Sequence, residues 1–434
     1  MNINMFSVRL RMSRSLSILR LPTLIVFLAG IVVIGSGCAT GPFSDMFRKP
    51  RTGLTKGPFL LGVYPDRVAL MWETETKKPC KLYYGEERKL DKYVESVPET
   101  NRAGEGIFAK AVYIHKVWLE DLQSGRTYNY RITGPGFQDE IYTFRTVPAS
   151  ADKVSFIVYG DSRTRPTVHN RLVRQMKKRK VDFVVNCGDL VSKGNKYGQW
   201  GPQFFEPLKG LAETVPIYIA KGNHEGDNGN FEKLLIPKGQ SNNFGFDYGP
   251  VHYFCADNVT RGTKDEVLLE SILADARASD AKWKFISYHV PSVNSGGHWS
   301  AWGYPDVLGG MAGAGVDFVL AGHSHIYERF RPVAPPEGSG GNYVTYITSG
   351  GGGASMHSIM PNAYHAVTVK KHHFCLFNID GDKLTMDTIG IDGSLIDHLE
   401  LTKTAGRLNK DYSRTAIPMK EMLAFQRKNL DRHD

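Results

Sequence analysis

VSFIVYGDSRTRPTVHNRLVRQMKKRKVDFVVNCGDL, residues 154–190, holds two short apolar runs, Val154 to Tyr159 and Phe183 to Asn186, on either side of a segment, Pro166 to Lys180, whose Leu172, Val173 and Met176 recur at helical spacing. Strand, helix, strand is the pattern of a βαβ unit, in which a crossover helix joins two parallel strands. Both apolar runs lead into Gly-Asp, at Gly160-Asp161 and Gly188-Asp189. The same alternation continues with a helix at Phe204 to Leu211, a strand at Pro216 to Ala220, a helix at Glu266 to Ser279, and strands at Trp283 to Tyr288 and Val316 to Leu320. Strands from Tyr343 and from His373 to Asp397 read as antiparallel and complete a second sheet. An α/β sandwich over residues 152–401 follows.

Upstream, residues 53–148 change grammar. Short alternating runs such as Val68 to Trp72, Cys80 to Tyr84, Ala111 to Leu119, Tyr128 to Ile132 and Ile141 to Phe144 are separated by turn residues, the pattern of a β-sandwich. No cluster of titratable residues appears there, so its expected role is support. Downstream, residues 402–434 are basic with sparse apolar positions and read as a surface-wrapping or disordered tail.

The N-terminus carries Arg9, Arg11, Arg14 and Arg20, then the apolar run Leu24 to Ile34, then Gly35-Ser36-Gly37-Cys38. This order is that of a signal peptide over residues 1–37, and the apolar run is shorter than the ~20 residues that span a bilayer comfortably. Small residues before a lone cysteine resemble the lipobox of bacterial lipoproteins, which implies export, a lipid on Cys38, membrane attachment on the periplasmic or cell-surface face, and a tether over 38–52. An uncleaved anchor is the alternative. Of the other cysteines, Cys80, Cys187, Cys255 and Cys375 are even in number, as pairing requires, yet each lies in an apolar context that suits a small buried hydrophobe.

The chain of 434 residues is 41% hydrophobic and 23% charged, which describes globular protein and excludes disorder or a polytopic membrane protein. Its net charge of +10 owes four charges to the leader arginines, and the basic run Arg171 to Lys180 reads as a solvated helix face; no nucleic-acid partner is expected.

The chemistry sits directly after the predicted strands: Asp161, Asp189, Gly222-Asn223-His224-Glu225, His289, and His323-Ser324-His325. Each block alone has a bland reading as a turn, a helix cap or a hydrogen-bonded histidine. Five in order, all at the strand edge where α/β sheets form their sites, point to one pocket. Two carboxylates, an amide oxygen and three imidazoles suit borderline transition metals such as zinc, iron or manganese better than calcium. His323 and His325, two residues apart, reach one site and can contact different ions. Two such ions would leave a positive pocket for a phosphate dianion, clamp a phosphoryl oxygen and acidify a shared water. The glycine run Gly350 to Gly353 reads as a flexible turn, with a pocket border as the alternative.

These blocks, with GHSHIYER at Gly322 to Arg329 and FGFDYGPVHY at Phe244 to Tyr253, resemble the calcineurin-like metallophosphoesterases and, within them, the purple acid phosphatases. Trp72 and LEDLQSGRTYNYR, Leu119 to Arg131, resemble the fibronectin type III-like domain that precedes the catalytic domain of that family. The resemblance implies a fibronectin type III-like β-sandwich followed by a four-layer α/β/β/α sandwich. It implies two metal ions, one held by Asp161, Asp189 and His325 and the other by Asp189, Asn223, His289 and His323. His224 would contact the phosphate, and His298, nine residues after His289, would protonate the leaving group. One departure stands out: the tyrosine whose phenolate binds ferric iron is replaced by Ser192, three residues after Asp189, so no purple charge-transfer band is expected, and an observed band would point to another tyrosine such as Tyr197. The Asp-Arg-Gly that the Ser/Thr protein phosphatases carry after this aspartate is absent as well. The expected activity is phosphomonoester hydrolysis, with a phosphodiesterase as the alternative and a surface binding protein with a vestigial site as the reading from a different class.

Overall fold

The structure is a computed structural model and describes residues 53–430 except 88, 104–108, 135–136, 138–139, 261–264, 299, 405–406 and 409. The signal, Cys38 and tether expectations lie outside the described residues. Among those described, no helix is long and apolar enough to cross a membrane.

Residues 54–145 form two antiparallel four-stranded sheets. One runs in the order Leu54–Val63, Val68–Thr74, Lys110–Leu119, Glu99–Ala103; the other in the order Lys92–Ser96, Cys80–Glu86, Thr127–Thr133, Tyr142–Arg145. Residues facing inward from both, including Leu60, Leu70, Trp72, Leu82, Tyr130 and Ile132, share one apolar cluster. Trp72 stacks on His115 with ring centroids 5.0 Å apart, and burial holds that histidine neutral by lowering its pKa to about 4.

The rest is built on two seven-stranded sheets. The first has the order Ile217–Ile219, Phe183–Asn186, Lys153–Tyr159, His373–Asp380, Lys383–Gly390, Leu395–Thr404, Arg407–Leu408, parallel over the first three strands and antiparallel beyond. The second has the order Phe244–Tyr248, Val251–Cys255, Trp283–Ser287, Phe318–Ala321, Thr345–Ser349, Tyr327–Phe330, His365–Val369, with four parallel strands at its centre. Period-two alternation explains the layering. Val154, Phe156 and Val158 face the second sheet, where Phe156 meets Phe285 edge-on at 5.1 Å. Ile157 and Tyr159 face outward onto Leu172, Val173 and Met176 of the helix Pro166–Met176. The helices Glu266–Ala278 and Asp306–Gly313 cover the second sheet in the same way, through Ile272, Leu308 and Met311.

Several expectations are corrected. The helix from Pro166 ends at Met176, because Lys177 to Lys180 offer no apolar residue to hold against the sheet. Phe204 to Leu211 is no continuous helix but a π-helical turn, Gly201–Phe205, and one α-turn, Glu206–Leu208. Thr345–Ser349 runs parallel to Phe318–Ala321, and the hairpin from His373 joins the first sheet instead of completing the second. Apolar alternation marks a strand but does not name its partner. The tail contains a helix, Met419–Leu430, whose Met422 is buried with Ile417 against Val333. Among the described residues Cys80, Cys187, Cys255 and Cys375 are buried and unpaired, as the apolar reading of their surroundings expects.

The sandwich packs on the first seven-stranded sheet and the turns beside it through buried contacts. Tyr218 donates to the Val63 carbonyl at 2.7 Å, Tyr130 to the Glu213 carbonyl at 2.7 Å, and Phe59 packs against Phe204 and Phe205.

Candidate metal centre

Asp161, Asp189, Asn223, His224, His289, His323 and His325 all lie in loops just past the carboxyl ends of parallel strands, and the fold brings those loops together. The first sheet supplies Asp161, Asp189, Asn223 and His224; the second supplies the other three.

One group gathers around His289. Its Nδ1 donates to the Cys187 carbonyl at 2.7 Å, so Nε2 is the nitrogen that faces the cluster. That Nε2 lies 3.0 Å from Asn223 Oδ1, 3.3 Å from Asp189 Oδ1 and 3.3 Å from His323 Nδ1, and His323 Nδ1 lies 3.1 Å from Asn223 Oδ1. The other group gathers around Asp161. His325 donates through Nδ1 to the Ser355 carbonyl at 2.7 Å and turns Nε2 to within 3.3 Å of Asp161 Oδ1. Asp161, Asp189 and His289 together present ligand atoms all within 4.8 Å of one another.

Three of these residues are held in a backbone region that side chains avoid: Asp161 at φ 57°, Asp189 at φ 59° and His323 at φ 66°. Such strain persists only where the surroundings over-determine it. Asp161 N–H donates to the Gly188 carbonyl, its Oδ2 accepts the His323 N–H at 2.9 Å, and Asp189 Oδ1 accepts the His224 N–H at 2.9 Å. The motif glycines follow from the same crowding. A Cβ on Gly222 would lie 2.2 Å from the Asp189 nitrogen, and one on Gly322 would lie 2.5 Å from Asp161 Oδ2.

The electrostatics fit cations. Among the described residues Asp161 Oδ1 is buried with no hydrogen-bond partner, having only His325 Nε2 beside it at 3.3 Å, and such a carboxylate oxygen is costly to bury unless a cation meets it. Burial opposes the charge on Asp189, but His289, His224 and Arg163 outweigh it and hold the carboxyl far below the usual range. Burial alone would lower His289, yet Asp189 raises it to about 9, so a metal ion entering here displaces a proton. Burial, then His289 and His298, push His323 far down and keep it neutral, as a ligand must be. The residues present suit two ions of borderline character.

The two histidines expected in catalysis lie beside this centre. His224 donates from Nδ1 to the Ser192 carbonyl at 2.6 Å, which leaves Nε2 facing the cluster 3.9 Å from Asp189 Oδ2. His298 is exposed, with its ring centroid 4.4 Å from that of His323. Its loop is fastened by Ser295, which donates to buried Glu328 at 2.7 Å, and by Asn294, which donates to the His298 carbonyl at 3.0 Å.

Four residues at the centre were not assigned roles from sequence. Glu225 accepts N–H bonds from Asp189, Leu190 and Gly222 at 2.8–2.9 Å and locks the two loops together. Asn258 accepts the N–H groups of His289 and Val290 and steadies the loop behind His289. His357 stacks on His325 with centroids 4.0 Å apart and accepts the His325 N–H at Nδ1; burial, then His325, lower its pKa to about 4. Arg163 donates from Nε to Asp189 Oδ2 at 3.0 Å. Its place two residues after Asp161 was the available signal, whereas His357 comes from a loop that nothing in the sequence ties to the site.

One expectation changes, that for Gly350 to Gly353, and Ser192 and Tyr197 both have protein partners. Tyr197 does not stand in for the tyrosine replaced by Ser192: it is buried, donates its hydroxyl to Glu73 of the sandwich, and burial and Glu73 raise its pKa. The Ser192 hydroxyl donates to Gln203 Oε1 at 3.0 Å. Gly350 to Gly353 is no flexible turn but part of the floor, where a Cβ on Gly350 would lie 2.2 Å from the Ser324 carbonyl and 2.9 Å from Asp161 Oδ2.

Comparison with known proteins agrees with this geometry. The family described as calcineurin-like phosphoesterase matches residues 154–327. The chain is 30% identical over 315 residues to purple acid phosphatase 21 of Arabidopsis thaliana, covering 66% of this chain and 69% of that protein. It is 24% identical over 311 residues to a protein named probable inactive purple acid phosphatase 1 of the same plant, covering 56% of this chain and 49% of that one. The structure of a purple acid phosphatase from yellow lupin, Lupinus luteus, superposes with a TM-score of 0.66 at 18% identity, covering 85% of this chain and 76% of the lupin chain, a likeness of fold. This chain therefore belongs to the purple acid phosphatase family of calcineurin-like phosphoesterases and is a phosphoric ester hydrolase.

Proposed function

We propose that the protein is an exported binuclear phosphomonoester hydrolase, using two transition-metal ions drawn from iron, zinc and manganese. The observation that carries this reading is that Asp189 shares one cluster with Asp161 and His289, their ligand atoms all within 4.8 Å of one another, with its Oδ1 3.3 Å from His289 Nε2. Asp161, Asp189 and His325 are suited to hold one ion, and Asp189, Asn223, His289 and His323 the other. When bound, such ions polarise phosphoryl oxygens and lower the pKa of a shared water. His224, its tautomer set by the Ser192 carbonyl, presents Nε2–H or a lone pair toward the phosphoryl group according to its protonation. His298 would hand a proton to the departing alkoxide, a role supported by its exposed ring beside His323.

The finer assignments belong to the same proposal. Two antiparallel sheets with a shared core around Trp72 support a fibronectin type III-like domain over 53–148. Two face-to-face sheets with helices on their outer sides support a four-layer catalytic domain over 152–401. The leader supports attachment through a lipid on Cys38; Cys38→Ser should move the protein from the membrane to the soluble fraction, and retention on membranes would favour an uncleaved anchor.

The decisive test pairs metal analysis with activity. Wild-type protein should carry about two ions per chain and cleave an aryl phosphate monoester faster than the matching diester. Asp189→Ala should deplete both ions and His289→Ala chiefly one. A single ion untouched by Asp189→Ala would overturn the binuclear reading, and faster diester cleavage would overturn the monoesterase.

A further inference from the structure

We propose that Arg163 selects dianionic phosphoryl groups, and thereby makes this site prefer phosphate monoesters to diesters. The inference rests on the monoesterase reading above and names the residue responsible for it.

Arg163 follows Asp161 in a turn where both Asp161 and Thr164 have positive φ, 57° and 76°. The reversal pins its backbone, whose N–H donates to the Asp189 carbonyl, and returns its side chain over the site. The side chain is 18% exposed, Nε donates to Asp189 Oδ2 at 3.0 Å, and Nη2 lies 3.3 Å from His325 Nε2. One guanidinium thus touches a residue of both candidate ligand sets and the outer ligand of one of them.

A guanidinium has five N–H donors and does not lose its proton. Nε rests on Asp189 Oδ2 and Nη2 on His325 Nε2, atoms that these candidate ligands would turn to an ion, so an ion held there would free the guanidinium for a ligand, in the fork geometry that matches phosphate oxygens. With Asp161 and Asp189 engaged by divalent ions, Arg163 is no longer needed as a counter-charge. It adds a permanent positive charge to a pocket already positive, on the side where Ser192 removes the negative phenolate of the family pattern. Coulomb attraction scales with the charge of the ligand, so a monoester dianion gains twice what a diester monoanion gains from the same group.

The test uses the full chain loaded with metal, with Arg163→Met to remove the charge and Arg163→Lys to keep it without the fork. At pH 7, Arg163→Met should lower kcat/KM for 4-nitrophenyl phosphate by about 10²-fold, the usual cost of one oriented donor at a developing charge. The loss for bis(4-nitrophenyl) phosphate should be about tenfold, half on a logarithmic scale. Binding of inorganic phosphate, measured by calorimetry, should weaken with the monoester, metal content should not change, and Arg163→Lys should recover most of the monoester preference. Equal losses on the two esters, or a loss that tracks metal depletion, would make Arg163 a structural counter-charge of Asp189 and overturn the proposal. If wild type cleaves only diesters, the monoesterase reading fails. Phosphate binding then still decides Arg163: weaker binding by Arg163→Met supports its recognition of dianions, and unchanged binding refutes it.

Discussion

Replacing Glu225 by Gln should damage the centre without touching a single candidate ligand. The carboxylate is buried and works with both oxygens: Oε1 accepts from Leu190 at 2.8 Å and Val191 at 3.4 Å, while Oε2 accepts from Asp189 at 2.9 Å and Gly222 at 2.8 Å. An amide offers one acceptor and one donor, so one pair of backbone N–H groups would face an N–H₂. Each buried donor left unpaired costs about 1–3 kcal/mol, and two give roughly 2–6 kcal/mol. Relief of a buried charge near Asp189 offsets part of this, leaving about 2–4 kcal/mol. For a domain of this size that corresponds to a fall in Tm of roughly 5–15 °C in metal-stripped protein. Because the same bonds hold Asp189 against the loop of Asn223, metal affinity should fall about 10- to 100-fold, a usual cost for losing a group that orients ligands. Glu225→Ala, which orphans every donor and leaves a cavity, should be worse on both measures. Thermal melting and metal titration decide the matter: a Glu225→Gln variant that melts with wild type and keeps its metal affinity would refute the idea that this carboxylate sets the geometry.

Other outcomes follow from particular residues. His298→Ala should slow alkyl phosphates, whose leaving groups need a proton, by about 10²-fold or more relative to nitrophenyl phosphate, with metal content unchanged; equal losses would assign His298 to phosphate binding. Iron-loaded protein should lack an intense purple band, because Ser192 replaces the phenolate and Tyr197 is committed to Glu73; a strong visible band would show that another tyrosine reaches the metal. His252 is buried between Asp247 at 2.8 Å and Asp275 at 2.7 Å; burial lowers its pKa, but the two carboxylates prevail and raise it from 6.5 to about 9. Its stabilisation is therefore full below about pH 6.5 and lost as pH rises through about 9. Both partners are partly exposed, so His252→Gln should cost about 1–2 kcal/mol at pH 6 in chemical denaturation and little above pH 10, and a penalty that grows with pH would contradict this.

The candidate ligands were legible because each follows a buried strand whose apolar run is itself legible. Val154 to Tyr159 and Phe183 to Asn186 announce their own ends, and the residues at those ends have nowhere to go but the common edge. What escaped is what reaches that edge from elsewhere. His357 arrives from a loop beyond Thr345–Ser349, and Glu328, which holds the loop of His298 through Ser295, sits on a strand that reads only as part of a motif. The partner strand of Thr345–Ser349 and the buried face of the Met419–Leu430 helix escaped for a related reason, since pattern shows which residues are apolar and not what they are apolar against.

The strained residues explain why motif reading works at this site at all. An αL conformation at a residue with a side chain costs about 1–2 kcal/mol, and Asp161, Asp189 and His323 each adopt it. A single strained loop could relax by shifting its backbone. Here the relaxation of one loop is blocked by the next: His323 N–H is bonded to Asp161, the Asp161 N–H to the Gly188 carbonyl, His289 Nδ1 to the adjacent Cys187 carbonyl, and the Gly322 N–H back to the His289 carbonyl. Closing that ring brings backbone so near to backbone that a Cβ at Gly188, Gly222 or Gly322 would lie within 2.2–2.6 Å of a neighbouring atom. The glycines before Asp189, Asn223 and His323 and these candidate ligands themselves are thus one constraint, and a chain that kept the ligands but not the glycines would lose the geometry. The same hydrogen bonds between loops hold the candidate ligand atoms of Asn223, His289, His323 and Asp189 within 3.0–3.3 Å of one another, so the close backbone packing and the convergence of the ligands have one cause.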